Sequence, residues 1–179
     1  EAHLVLASTL ENLAELHSIQ GHFGLAESLF ETCLASLQTL RVSFNQALVK
    51  ITYGKHWLQK QEYPQALESF RQSLEISELT GDPRGQVEAR LYFIKTLLRS
   101  GKLSEAEAAF AGVSDQVAEL DSLPIRGQYY EVQGILAAAK DDFEVASRRY
   151  KQAISIWEVL DDPYRCASNH YFLGVILRD

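Results

Sequence analysis

Ala26, Ala66, Ala106 and Ala146 stand 40 residues apart, and four residues after each comes a ring: Phe30, Phe70, Phe110 and Tyr150. Three residues before each alanine comes Phe23, Tyr63, Leu103 or Phe143. A small residue holds a third registered place at Ala14, Gly54, Gly134 and Gly174, and Ile94 interrupts that series. With 10% aromatic residues in the chain, rings at all four places have a chance on the order of 1 in 10,000 per frame, so the pattern is an internal repeat. A repeat unit buries its apolar face only against its neighbours. Function then belongs to the stacked surface.

The spacing inside a unit is helical. Ala66, Phe70, Ser73 and Leu74 fall at i, i+4, i+7 and i+8, one face of a helix, with a small residue where two helices approach and a ring beside it. Tyr53, Gly54, Trp57 and Leu58 repeat the logic in the first half of the unit. Short polar breaks separate the halves, such as Gln61-Glu62-Tyr63-Pro64 and Ser100-Gly101-Lys102-Leu103. Gly101 suits a left-handed helix end, and Ser104 with Glu107 has capping-box spacing. Asp82-Pro83 and Asp162-Pro163 have the form of an N-cap followed by a first-turn proline. Each unit is therefore expected to be a helical hairpin. The register predicts nine helices, at 4–20, 24–40, 44–60, 64–79, 83–99, 104–120, 124–140, 144–160 and 163–178.

These registered residues resemble the tetratricopeptide repeat. That family expects a small residue at the eighth position, a ring at the eleventh, Ala at the twentieth, a ring at the twenty-fourth and a small residue at the twenty-seventh. The second unit offers Gly54, Trp57, Ala66, Phe70 and Ser73, and the fourth offers Gly134, Ala137, Ala146, Tyr150 and Ala153. The first gives Ala14, His17, Ala26, Phe30 and Cys33; the third departs most, with Ile94 and Leu97 before Ala106 and Phe110. The period is 40, against about 34 in the ordinary repeat, which longer helices would absorb. The resemblance implies an all-α, right-handed α-α superhelix of about four and a half hairpins, spanning 1–179 as a single solenoid. Its repeats would run over 4–43, 44–82, 83–122, 123–162 and, in part, 163–179. The last segment has no second helix and carries apolar Leu173, Val175, Ile176 and Leu177, so the chain is expected to be a fragment of a longer array. Segments such as Leu79-Thr80-Gly81-Asp82-Pro83 also resemble those of regulatory arrays in signalling proteins. Physically they are equally a helix stop followed by a helix start.

Composition narrows the function. The chain is 46% apolar and 23% charged, as in globular proteins, and has no apolar run long enough for a membrane span. Its opening lacks the basic start of a signal peptide. A net charge of −7 argues against a nucleic-acid surface. Cys33 sits in a small-residue packing slot, so a buried free thiol in a reducing, cytoplasmic setting is expected for it rather than a bridge to Cys166. His3, His17, His22, His56 and His170 form no ligand-spaced pair, and Gly54-Lys55 and Gly101-Lys102 lack the rest of a phosphate loop. Asp141-Asp142 and Asp161-Asp162 fall at turns, where helix N-termini favour acids. No nucleophile, base and oxyanion donors assemble. No enzyme activity, cofactor or metal is expected.

The resemblance implies a concave groove lined by the first helix of each unit, at positions two, five, nine, twelve and thirteen. In this chain those are Ser8, Glu11, Glu15, Ser18 and Ile19; Leu48, Ile51, Lys55, Leu58 and Gln59; Glu88, Leu91, Lys95, Leu98 and Arg99; and Gln128, Glu131, Ile135, Ala138 and Ala139. Lys55 and Lys95 share a register, with Arg99 one turn beyond. Ile51, Leu58, Leu91 and Leu98 would form an apolar floor, or instead pack against the neighbouring first helix. Such a groove suits an acidic amphipathic segment or a peptide carboxylate. A chaperone-tail carboxylate clamp is disfavoured, because only Asn12 and the lysines match it in part. The expected function is a protein–protein interaction scaffold that takes a partner's peptide or helix in the groove. The alternative is a regulatory sensor arm of a larger signalling or transcription-regulating protein, answering to a small ligand or signal peptide. Self-association through the array ends is a further expectation.

Overall fold

The computed structural model describes residues 2–40 and 43–178; Arg41 and Val42, at the close of the first expected repeat, and Asp179 lie outside the described residues. Among the described residues there are ten helices and no strand. They are α1 (Ala2–Ile19), α2 (Phe23–Thr39), α3 (Ser43–Gln59), α4 (Tyr63–Thr80), α5 (Pro83–Arg99), α6 (Leu103–Phe110), α7 (Val113–Glu119), α8 (Leu123–Ala138), α9 (Phe143–Val159) and α10 (Pro163–Ile176). The chain divides into two compact units, Glu1–Thr96 and Leu97–Asp179, with the division inside α5. In the first unit α1 packs on α2 and α3 on α4; in the second α8 packs on α9 and α9 on α10. We call α1, α3, α5, α8 and α10 the A helices, the first of each hairpin.

Eight of the nine expected helices form within a few residues of their expected ends. The segment 104–120 does not form as one helix. It breaks at Ala111, which is extended (ψ 127°), and Gly112 (φ 77°), giving α6 and α7. Glycine relieves the cost of a left-handed backbone there. The third unit is also the one whose small-residue place is taken by Ile94. Ser104 does not cap: α6 begins one residue earlier, after Lys102, without a side-chain cap.

The backbone itself repeats at half the sequence period. A positive φ occurs at Gly21, Gln61, Gly81, Gly101, Asp121, Asp141 and Asp161, positions spaced by multiples of 20. Each is the left-handed residue that ends a helix. Around six of them the next residue's N–H returns to a carbonyl five back, as in His22 to His17 (2.9 Å), Glu62 to Trp57 (2.9 Å) and Asp142 to Ala137 (3.0 Å). In the two acidic pairs the first aspartate takes the left-handed turn and the second caps the next helix. Asp142 accepts from the Val145 N–H (3.1 Å) and Asp162 from the Arg165 N–H (3.0 Å).

The registered residues make the core. Ala26, Ala66, Ala106 and Ala146 are fully buried, as are Phe30 and Phe70. A Cβ added at Gly54 would stand 2.4 Å from the Phe70 ring, and one at Gly134 2.8 Å from Tyr150, so only glycine lets the ring lie on the helix backbone. The same rings then stack on the next A helix: Phe30 on Tyr53 (4.8 Å between centroids), Phe70 on Tyr92 (5.5 Å), Phe110 on Tyr129 (5.4 Å) and Tyr150 on Phe172 (5.8 Å). Each pair adds about 0.5–1.5 kcal/mol beyond the area it buries. Another registered pair is polar. Cys33 Sγ donates to the Ala7 carbonyl (3.2 Å) and Ser73 Oγ to the Ala47 carbonyl (2.9 Å). Cys33 is a buried free thiol, and burial pushes its pKa up to about 11.

Candidate functional site

In the first unit the A-helix face is a ladder of side chains one repeat apart. Thr52 Oγ1 donates to Glu11 Oε1 (2.8 Å), Lys55 Nζ to Glu15 Oε1 (3.2 Å) and Ser18 Oγ to Gln59 Oε1 (3.2 Å), at separations of 41, 40 and 41 residues. Equivalent positions of neighbouring repeats face each other, so a donor in one unit and an acceptor in the same register of the other must meet. Burial raises the Glu11 pKa, against the opposing hydrogen bond from Thr52. Burial alone would depress the Lys55 ammonium, but Tyr92, Glu15 and Glu88 outweigh it and hold its pKa above the usual lysine range. The Lys55 side chain keeps 34% of its surface in solvent, and its ammonium lies 6.0 Å from the Tyr92 ring centre. At the end of the ladder His56 is buried, with Nδ1 2.9 Å from Ser18 Oγ and Nε2 3.3 Å from Glu27 Oε1. Lys60 shares Glu27 and lies over the Trp57 ring, 4.4 Å from its centre.

The expected apolar floor is placed differently. Ile51, Leu58 and Leu91 are 3%, 6% and 1% exposed, and Ile51 and Leu58 belong to a core cluster with Ala66, Phe70, Ala89 and Tyr92. They occupy the packed side of their helices, so they are core and not the floor of an open groove. Lys95 is half-buried. Leu98, half-buried, and Arg99, exposed, fall in the second unit.

In the second unit the A-helix face is more deeply buried. Glu131 is 6% exposed and accepts from Asn169 Nδ2 at 2.8 Å, with Arg165 Nη1 at 3.7 Å. The same Asn169 amide donates to the Arg165 carbonyl (2.8 Å), and the Arg165 guanidinium lies 4.4 Å from the Trp157 ring centre. Gln128 Oε1, Asn169 Oδ1 and Trp157 Nε1 are buried without a hydrogen-bond partner among the described residues. Thr52, Tyr92, Arg165 and Asn169 were not singled out by the sequence. Glu15 was, but not as the partner of Lys55. Opposite charges 40 residues apart in one register were the available signal. Among the described residues no group of three or more His, Cys, Asp and Glu is arranged around a metal, and no helix is long and apolar enough to cross a membrane.

No family model and no curated protein matches the sequence. Solved structures do match the fold. A crystal structure of BtubC (BKLC) from P. vanneervenii superposes with a TM-score of 0.75 at 20% identity, over 97% of this chain and 72% of that one. A Rap protein crystallised in complex with competence and sporulation factor gives a TM-score of 0.83 at 14% identity, over 97% of this chain and 48% of the Rap chain. PilF of Pseudomonas aeruginosa gives 0.56 at 16% identity, over 95% and 76%. The chain thus has an all-α helical-repeat fold of the tetratricopeptide type. It spans about half the length of the Rap chain.

Proposed function

We propose that this chain is a protein-interaction scaffold whose A-helix faces receive a segment of a partner protein. The observation that carries this reading is the ladder from Glu11 to Gln59. A helix face that served packing alone would be apolar, whereas this one sets amide, carboxylate and ammonium groups in register, with Lys55 and Glu15 partly in solvent. Such groups recognise main-chain amides and charged side chains of a bound segment. In the first unit Lys55 and Lys95 are the cations of the contact; in the second Arg99 has the same role. Ile51, Leu58 and Leu91 contribute by holding the helices, and Leu98 by its exposed part. Support in kind comes from the Rap neighbour, crystallised with a bound factor.

The test is capture of the partner by the native chain, by a Lys55→Gln, Lys95→Gln double variant and by Arg71→Gln on α4. Loss of one or two contacts to a bound segment should weaken capture about tenfold in the double variant. Arg71→Gln should leave it unchanged. Equal capture by all three proteins would refute the A-helix face.

A further inference from the structure

The turn between α1 and α2 sets two imidazoles against each other. His17, half-buried on the last turn of α1, and His22, exposed at the start of α2, bring their Nδ1 atoms to 3.4 Å, with ring centres 5.6 Å apart and planes inclined at 46°. Residues five apart on a straight helix point about 140° away from each other, so spacing alone does not announce this pair. The backbone makes it. Gly21 takes the left-handed turn (φ 80°), and the His22 N–H returns to the His17 carbonyl at 2.9 Å. In that kind of helix end the two residues joined by the bond are also the two whose side chains meet. The same bond closes five other turns, between pairs such as Trp57 and Glu62 or Leu97 and Lys102. Among these six turns, only the first places a histidine at both ends of the bond.

We propose that His17 and His22 form a chelating site for a zinc ion, with Nδ1 of each ring as a ligand and the remaining positions open to water. The distance decides the metal. Two nitrogens bound to zinc at about 2.0–2.1 Å subtend the tetrahedral angle when they stand about 3.3–3.4 Å apart. Neighbouring ligands of a square-planar ion at similar bond lengths stand only about 2.9 Å apart. The observed 3.4 Å fits the first geometry. Imidazole nitrogen also suits zinc better than the oxygen-seeking magnesium and calcium. Without a metal, one ring donates its Nδ1–H to the other. Zinc takes the place of that proton, and each neutral ring then carries its proton on Nε2. His22 is the N-cap residue of α2 and makes no capping hydrogen bond with its side chain, so ligation costs the helix no cap. The site does not depend on the reading given to the A-helix ladder.

The probe is zinc chloride alone, titrated calorimetrically into the native chain. One ion per chain should bind with a Kd of about 100 µM or tighter, and about a tenfold excess of magnesium should not compete. His17→Gln and His22→Gln should each weaken binding about tenfold or more, because a single imidazole loses the second, intramolecular ligand. His170→Gln, remote in sequence and exposed, should leave it unchanged. His22 is exposed and caps nothing, so His22→Gln should keep the native circular dichroism and its loss of zinc is not a loss of fold. Long-range proton–nitrogen spectra should show the Nδ1 signals of His17 and His22 moving on zinc addition while Nε2 stays protonated. Zinc should raise the melting temperature of the native chain and of neither variant. Binding that survives either substitution would mean an adventitious ion only and would overturn the proposal. An equal loss in His170→Gln, displacement by magnesium, zinc seated on Nε2, or a native Kd weaker than about 100 µM would overturn it as well.

Discussion

The two compact units use one register to different ends. In the first, the registered rings Phe30 and Phe70 are wholly buried, both second helices run unbroken for 17 and 18 residues, and the A-helix ladder is polar, partnered and partly wet. In the second, the ring at the same place, Phe110, is only half-buried at the end of an eight-residue helix, and the polar groups of the A helices are buried with some atoms unmatched. The difference shows that a repeat pattern fixes where helices lie but not how much each contact contributes. That depends on whether the second helix of the unit continues past its aromatic.

The widest gap between the units should appear in their aromatic deletions. Phe70→Ala removes a fully buried ring from over Gly54 and should cost about 3–5 kcal/mol. Phe110→Ala removes a half-buried ring that stacks on Tyr129 and should cost about 1–2 kcal/mol. Each unit holds one tryptophan, Trp57 or Trp157, so Trp157→Phe and Trp57→Phe backgrounds report the first and second units separately in urea melts. Equal losses would mean that the break at Ala111-Gly112 leaves the third hairpin as tightly packed as the second.

Acid should separate the units next. His56 is enclosed by Phe23, Phe30, Tyr53 and Trp57, and burial lowers its pKa although the Glu27 carboxylate pulls the other way and Lys60 adds to the lowering. Above about pH 6.5 the imidazole is neutral in both folded and unfolded chains. As pH falls through that value, the unfolded chain takes up a proton that the fold resists, so stability is lost. Glu27 acts in a lower window. Burial would raise its pKa, but Lys60 and His56 outweigh that and hold it down, so its contribution is present above the ordinary carboxylate pKa and lost below its own. The protection of amides in α1 to α3, taken relative to the intrinsic exchange rate at each pH, should therefore fall between about pH 7 and 5.5, in the range of an ordinary imidazole. His56→Gln should flatten that change, and α8 to α10, where His170 is exposed, should not follow it. An equal loss of protection in both units would remove His56 as the cause.

Much of this architecture was legible in the alanines and rings, because burying Ala66 and Phe70 on one helix face requires the 3.6-residue period that sequence displays directly. The helix ends followed from the 40-residue register and its polar breaks, but the left-handed turn itself was legible only where glycine stood. Gln61, Asp121, Asp141 and Asp161 take the same left-handed turn as Gly101, yet nothing in a lone glutamine or aspartate announces a positive φ. The break in the third hairpin had a trace in Ile94 and Gly112, but a single glycine is tolerated in many helices. For the candidate site, the register placed Lys55 and Glu15 correctly on the A helices without revealing that they face each other. It also could not distinguish Ile51 and Leu58 on the core side from an exposed floor, since the two sides of an A helix that contact neighbours lie within one turn of each other.

The smallest expected effect tests the left-handed turns. Gln61 and Asp141 occupy one register place, with φ of 62° and 60°, in the first and second units. A side chain other than glycine pays roughly 1–2 kcal/mol there, and glycine returns part of that gain as extra freedom in the unfolded chain. Aspartate bears the conformation better than glutamine because its short polar side chain can bond locally. Asp141→Gly also leaves the Asp142 cap in place, so its effect is confined to the turn. Gln61→Gly should therefore stabilise the first unit by roughly 0.5–1 kcal/mol, and Asp141→Gly should change the second by less than about 0.5 kcal/mol. Single-tryptophan urea melts resolve the two. A larger gain at Asp141 would show that strain in these turns follows the packing of each unit rather than the chemistry of the residue that makes the turn.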